Sequence, residues 1–172
     1  MPHALETSNL ALARASDEHR ILRICWETNG HMNPDYLDRA MQLSLETGGN
    51  VKFDLKFWNE GLALGICGIS NTQALRNFER VGRRYFETRV AVPVLSASTL
   101  LVPGYVNDDE VGSIAELISS INEWIPYSLL AFHPQYVMSD LPVTSKDEAL
   151  RCRNAALKYL KRVRIGNEHL LA

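Results

Sequence analysis

Apolar, β-branched runs alternate with helical patterns along almost the whole chain, which is the signature of βαβ units and of a parallel sheet. Four runs read as strands: Ile21–Glu27, Val51–Lys56, Val92–Val102 and Ile125–His133. Their starts lie 30 to 41 residues apart, against about 31 residues for each unit of a (β/α) barrel of roughly 250 residues. The spacing predicts an α/β fold built from barrel-like units.

The segments between the runs carry helix start and stop signals. Asn33-Pro34 supplies a cap and a first-turn proline, Leu37, Met41 and Leu45 form a stripe, and Gly48-Gly49 ends it. Leu75, Phe78 and Val81 repeat the pattern after Ser70-Asn71. Val111, Ile114, Ala115, Ile118 and Ile121 follow Asn107-Asp108-Asp109. Ser145 and Glu148 have capping-box spacing, with Ala149, Cys152, Ala156 and Tyr159 as the face behind them. Arg162–Leu170 adds a last extended piece. Residues 1–172 read as one domain, with 1–20 as a helix or a poorly ordered lead-in.

Composition narrows the class of partner. A net charge of -2 implies no strongly basic face, so nucleic acid is not an expected partner. No apolar run reaches the roughly 18 residues of a membrane span. The three cysteines, Cys25, Cys67 and Cys152, are odd in number and widely spaced, as expected in a cytoplasmic protein without a disulfide framework. Cys25 and Cys67 sit in apolar runs with no obvious base and read as buried structural thiols, rather than as a nucleophile paired with His133.

Ligands of parallel α/β folds gather at the carboxyl ends of the strands, so polar residues there carry most weight. Side chains alternate along a strand, which puts Val51, Phe53 and Leu55 on one face and Lys52, Asp54 and Lys56 on the other. Leu22, Ile24 and Trp26 likewise oppose Arg23, Cys25 and Glu27, before a Thr28-Asn29-Gly30 turn. Ser96 and Ser98 share a face of the third run, and His133 closes the fourth. If the apolar faces pack on helices, the polar ones line a cavity that holds a charged ligand or ions.

Each residue also has a plainer role open to it. Asp54 and Lys56 form an ordinary ion pair at a strand exit, His133 is a hydrogen-bonded strand end, and Glu27 caps a turn. Their convergence on one rim is what favours a site. The glycines Gly61, Gly65 and Gly68 lack dinucleotide spacing, and the five histidines show no zinc-ligand pairing. A Schiff base on Lys56, in an aldolase-like barrel, is a further reading of a lysine beside a carboxylate.

Six stretches, in order, carry a resemblance: Trp26-Glu27-Thr28-Asn29-Gly30, Lys52-Phe53-Asp54-Leu55-Lys56, Cys67-Gly68-Ile69-Ser70-Asn71, Leu101-Val102-Pro103-Gly104-Tyr105, Ser128 to Pro134, and Val163-Arg164-Ile165-Gly166-Asn167. The chain resembles the radical S-adenosylmethionine (radical SAM) enzymes akin to pyruvate formate-lyase activating enzyme, most closely the branch of the AmmeMemoRadiSam system. The resemblance implies strands three to six, with flanking helices, of a partial (β/α)6 TIM-like barrel. It also implies a monovalent cation held by Glu27, Thr28, Asp54 and the carbonyl of Lys52, and S-adenosylmethionine contacted by Asp54, Lys56 and, at its far end, His133. Ser98 stands where the family has a cofactor-binding arginine, and Glu27 where it more often has aspartate.

The family cleaves S-adenosylmethionine at a 4Fe-4S cluster to a 5'-deoxyadenosyl radical, and a Cys-x-x-x-Cys-x-x-Cys loop ligates that cluster. This sequence has no such loop. On the resemblance the chain is therefore expected to be truncated and inactive alone, or to complete a barrel as a non-catalytic or split subunit with an N-terminal half-barrel partner. A protein substrate for the radical is the other expected partner.

Overall fold

A computed structural model describes residues 1–89 and 91–172. Helix α1 (Pro2–Asp17) leads to strand β1 (Trp26–Thr28), α2 (Pro34–Thr47) and β2 (Val51–Asp54). Two helices follow, α3 (Glu60–Cys67) and α4 (Thr72–Tyr85), then β3 (Leu95–Leu101), α5 (Asp108–Ile121), β4 (Tyr127–Ala131), α6 (Lys146–Ala156) and β5 (Val163–Gly166). The five strands form one parallel sheet in sequential order, β1-β2-β3-β4-β5. Because βαβ crossovers are right-handed, sequential order delivers every connecting helix to the same face of the sheet, the winding found in (β/α) barrels.

Residue chemistry sets where each helix begins and ends. Asn33, Asn59, Asn107 and Ser145 cap α2, α3, α5 and α6 with side-chain oxygens that accept a backbone N–H of the first turn. Gly48 and Gly68 close α2 and α3 in the left-handed conformation. The buried faces of α2, α4, α5 and α6 meet Val51, Phe53, Leu95, Ala97, Leu101, Tyr127 and Leu129 in one continuous core. The opposite face of the sheet carries Glu27, Lys52, Asp54, Ser96, Ser98, Leu100, Ser128, Leu130 and Arg164. These residues line two open cavities to which no helix residue among the described ones contributes.

The strands are shorter than the apolar runs that announced them. Residues 21–25 stay outside the ladder because the Ile24 N–H donates to Thr47 Oγ1 at 3.0 Å and its carbonyl accepts from Ser44 Oγ at 2.9 Å. Ile21 and Leu22 are exposed. Strand β4 stops at Ala131 since the next amide, Phe132 N–H, goes to Thr144 Oγ1 at 2.7 Å. His133 thus lies beyond the strand and is exposed. The extended piece at 162–170 contains the fifth strand, β5, followed by a turn of 3-10 helix at Glu168–Leu170. Helix α6 ends at Ala156, so Tyr159 is exposed and Leu160 takes the buried position.

Candidate functional site

The Thr28-Asn29-Gly30 turn after β1 is fixed from within and from behind. Thr28 Oγ1 accepts the Gly30 N–H at 3.0 Å and Asn29 Oδ1 the His31 N–H at 3.2 Å. From α4, the buried Asn77 Nδ2 donates to the carbonyls of Gly30 at 2.7 Å and Met32 at 2.9 Å. The segment after β2 is held the same way. Asn71 Nδ2 donates to Phe57 O and Trp58 O, and the Glu110 carboxylate accepts the Trp58 and Asn59 amides. Two asparagines and a glutamate therefore pre-organise the loops at the carboxyl ends of β1 and β2.

Those ends surround a cavity of about 580 Å3 lined by Glu27, Thr28, Asn29, Lys52, Asp54, Lys56, Ser98, Leu100 and Leu130. The register explains the grouping: Glu27 stands beside Lys52, and Asp54 beside Ser98. Glu27 Oε1 accepts from Lys52 Nζ at 2.7 Å and Asp54 Oδ2 from Lys56 Nζ at 2.6 Å. Ser98 is 1% exposed and its small side chain leaves room at the floor. A smaller cavity of about 250 Å3 lies behind, under α3, and shares Asn29, Asp54 and Lys56 with the first.

Of the residues singled out in the sequence, Glu27, Thr28, Lys52, Asp54, Lys56 and Ser98 come together on this cavity, whereas His133 is not among its lining residues. Asn77 and Glu110 were missed. An asparagine one residue ahead of Phe78 in the buried face of α4 was the available signal, because a buried amide is retained only where it has partners.

The donor chemistry suits one implied group and not the other. Carboxylates of Glu27 and Asp54, a threonine hydroxyl and a backbone carbonyl are oxygen ligands of the kind hard cations take, and a cavity of this size lies within the range of small-molecule sites. No group of three or more His, Cys, Asp or Glu residues among the described ones is arranged to hold a metal. Cys25 precedes β1, Cys67 ends α3, and Cys152 lies in α6. They stand on three separate segments and do not fit the ligation of an iron-sulfur cluster. The expectation that Cys25 and Cys67 are buried is wrong, since both are exposed, whereas Cys152 is buried. Burial, helped by the Glu148 charge, pushes the Cys152 thiol up to about 12, far from the thiolate a metal needs.

Lys56 is 44% exposed and ion-paired with Asp54, whose carboxylate favours the charged ammonium over the free amine that a Schiff base needs. No helix among the described residues is long and apolar enough to cross a membrane.

No family model matches the chain, and no curated protein matches it. Among solved structures, a domain of pyruvate-formate lyase-activating enzyme from Bacteroides vulgatus superposes with a TM-score of 0.70 at 18% sequence identity, covering 95% of this chain and 93% of that one. The helix-backed, sequentially ordered parallel sheet with its bare polar face therefore has the fold of that pyruvate-formate lyase-activating enzyme domain, a partial TIM-like barrel.

Proposed function

We propose that the chain forms the cofactor-facing wall of a radical SAM barrel of the glycyl-radical activating type, and that the cluster thiolates come from outside these 172 residues. The observation that carries the proposal is the convergence of Glu27, Thr28, Lys52, Asp54, Lys56 and Ser98 on one cavity at the carboxyl ends of β1 to β3. In this reading Glu27, Thr28, Asp54 and the Lys52 carbonyl hold a monovalent cation. Lys56 attracts the cofactor's carboxylate, and the small Ser98 leaves space where a longer side chain would intrude. His133, outside the cavity, is assigned to the far end of the ligand. S-adenosylmethionine brings the sulfonium whose reductive cleavage defines the family.

The uncovered face of the sheet supports an incomplete barrel. All-parallel sheets occur almost only with both faces covered, and here one face is open along all five strands. Further β/α units, from a preceding segment or from a second chain, are the natural cover, and we assign the cluster thiolates to them. The protein substrate of the radical would meet the same rim.

Equilibrium dialysis of the chain with labelled S-adenosylmethionine tests the wall. Saturable one-to-one binding that weakens at least tenfold in Lys56→Met is expected; undiminished binding in the variant contradicts the assignment. Anaerobic reconstitution with iron and sulfide, then dithionite, tests the source of the thiolates. Formation of 5'-deoxyadenosine by this chain alone would overturn it.

A further inference from the structure

The open face carries a second cavity, at the amino ends of the strands, of about 480 Å3. Four cations line it, Lys52, Lys161, Arg162 and Arg164, with Ser96 and Ser128 between them and no carboxylate among the described lining residues. Lys52 is paired with Glu27 at 2.7 Å and Lys161 loosely with Glu123 at 3.5 Å. Arg162 and Arg164 make no ion pair among the described residues. Arg164 Nε donates to Ser128 Oγ at 2.9 Å, which orients the guanidinium and leaves its terminal nitrogens without a protein acceptor among the described residues.

Arg162 immediately precedes β5 and Arg164 lies in it, two residues on, and both line the same cavity. Register carries the set across the sheet, Lys52 beside Ser96 and Ser128 beside Arg164. Like charges gathered around a concavity repel one another unless an anion lies between them. Two guanidinium forks, an ammonium and two hydroxyls are a donor set matched to phosphate oxygens, which arginine binds in pairs. The cavity is concave and of small-molecule size, and its serine positions keep it clear.

We propose that this amino-end cavity binds a phosphate-bearing small molecule, with Arg162, Arg164 and Lys161 on the phosphate oxygens and Ser96 and Ser128 as neutral donors. It shares only Lys52 with the carboxyl-end cavity, so the two sites stand or fall separately.

Calorimetric titration of the whole chain at fixed ionic strength, with inorganic pyrophosphate and with ADP as probes, tests the site. Saturable one-to-one binding is expected, weakened at least tenfold by Arg162→Ala combined with Arg164→Ala, and two- to fivefold by Arg164→Lys, which keeps the charge and loses the fork. Either ranking of the two probes supports the site, tighter ADP pointing to a nucleotide and equal affinity to the diphosphate group alone. Both arginines are exposed, so the double variant should keep its fold, as checked by circular dichroism, and its S-adenosylmethionine binding should be unchanged. Equal pyrophosphate binding by wild type and double variant, absence of saturation, or binding of a polyglutamate peptide but of neither probe overturns the proposal.

Discussion

Thr144 shows how much one hydroxyl can hold. Fully buried, it accepts the Phe132 N–H and donates to the Leu101 carbonyl, both at 2.7 Å, and so ties the ends of β3 and β4 together. Thr144→Val leaves both backbone groups unpaired in the core. A loss of about 3 kcal/mol in urea unfolding is expected, since each buried orphan costs about 1–3 kcal/mol.

Two buried acids make stability fall at high pH. Burial raises the Cys152 thiol to about 12, and burial raises the Tyr127 phenol despite its 2.7 Å hydrogen bond to Thr99. Both groups keep their protons in the folded state after the unfolded chain has lost them. Their stabilisation is therefore complete below the ordinary thiol range of about pH 8.5 and declines as pH rises through that range toward 12. Urea midpoints should fall from pH 8 to pH 11, and Cys152→Ala should remove the part of the slope that begins near pH 9. Stability independent of pH over that interval would contradict the burial of both groups.

At the scale of elements, the turn between β1 and α2 rests on Gly30. Its φ of +81° suits glycine, and an added Cβ would lie 2.9 Å from the Ala74 Cα at the start of α4. Gly30→Ala combines a left-handed strain of about 1 kcal/mol with a clash against helix backbone that cannot yield as a side chain can. We expect a loss of about 2–3 kcal/mol in urea unfolding, with weaker S-adenosylmethionine binding because the turn carries Thr28 and Asn29.

The same elements show what the sequence made legible. Four helices and four of the strands were readable because their apolar stripes are core stripes: Leu37 and Met41, Phe78 and Val81, Ile114 and Ile118 are all fully buried. Strand limits were not readable, because apolar character continues past the point where the ladder ends. At Ile24 and Phe132 side-chain hydroxyls of Thr47 and Thr144 intercept the strand amides, and nothing local in sequence marks a contact 23 or 12 residues away. Helix α3 was hidden by Gly61 and Gly65, poor helix formers whose cost is offset by the Asn59 cap. The grouping of Glu27, Lys52, Asp54 and Ser98 was legible because alternation along adjacent parallel strands leaves little freedom. His133 was not, since its place depends on where β4 stops.

At the scale of the whole molecule, one side of a five-stranded parallel sheet is a helix-packed core and the other is open, polar and charged. Sequential strand order produces that asymmetry, and it gives the open face two chemically different ends. Oxygen donors and Lys56 gather at the carboxyl end, and arginines without an ion pair among the described residues at the amino end.

The central claim is that the carboxyl end of this face binds a cation together with S-adenosylmethionine. Calorimetric titration of wild type and Asp54→Asn with S-adenosylmethionine, each in potassium chloride and in tetramethylammonium chloride, tests it most directly. The account predicts saturable binding by wild type that weakens at least tenfold when the small cation is replaced, and binding by Asp54→Asn that is weak in both salts. Equal affinity of wild type and variant, indifferent to the cation, would contradict it.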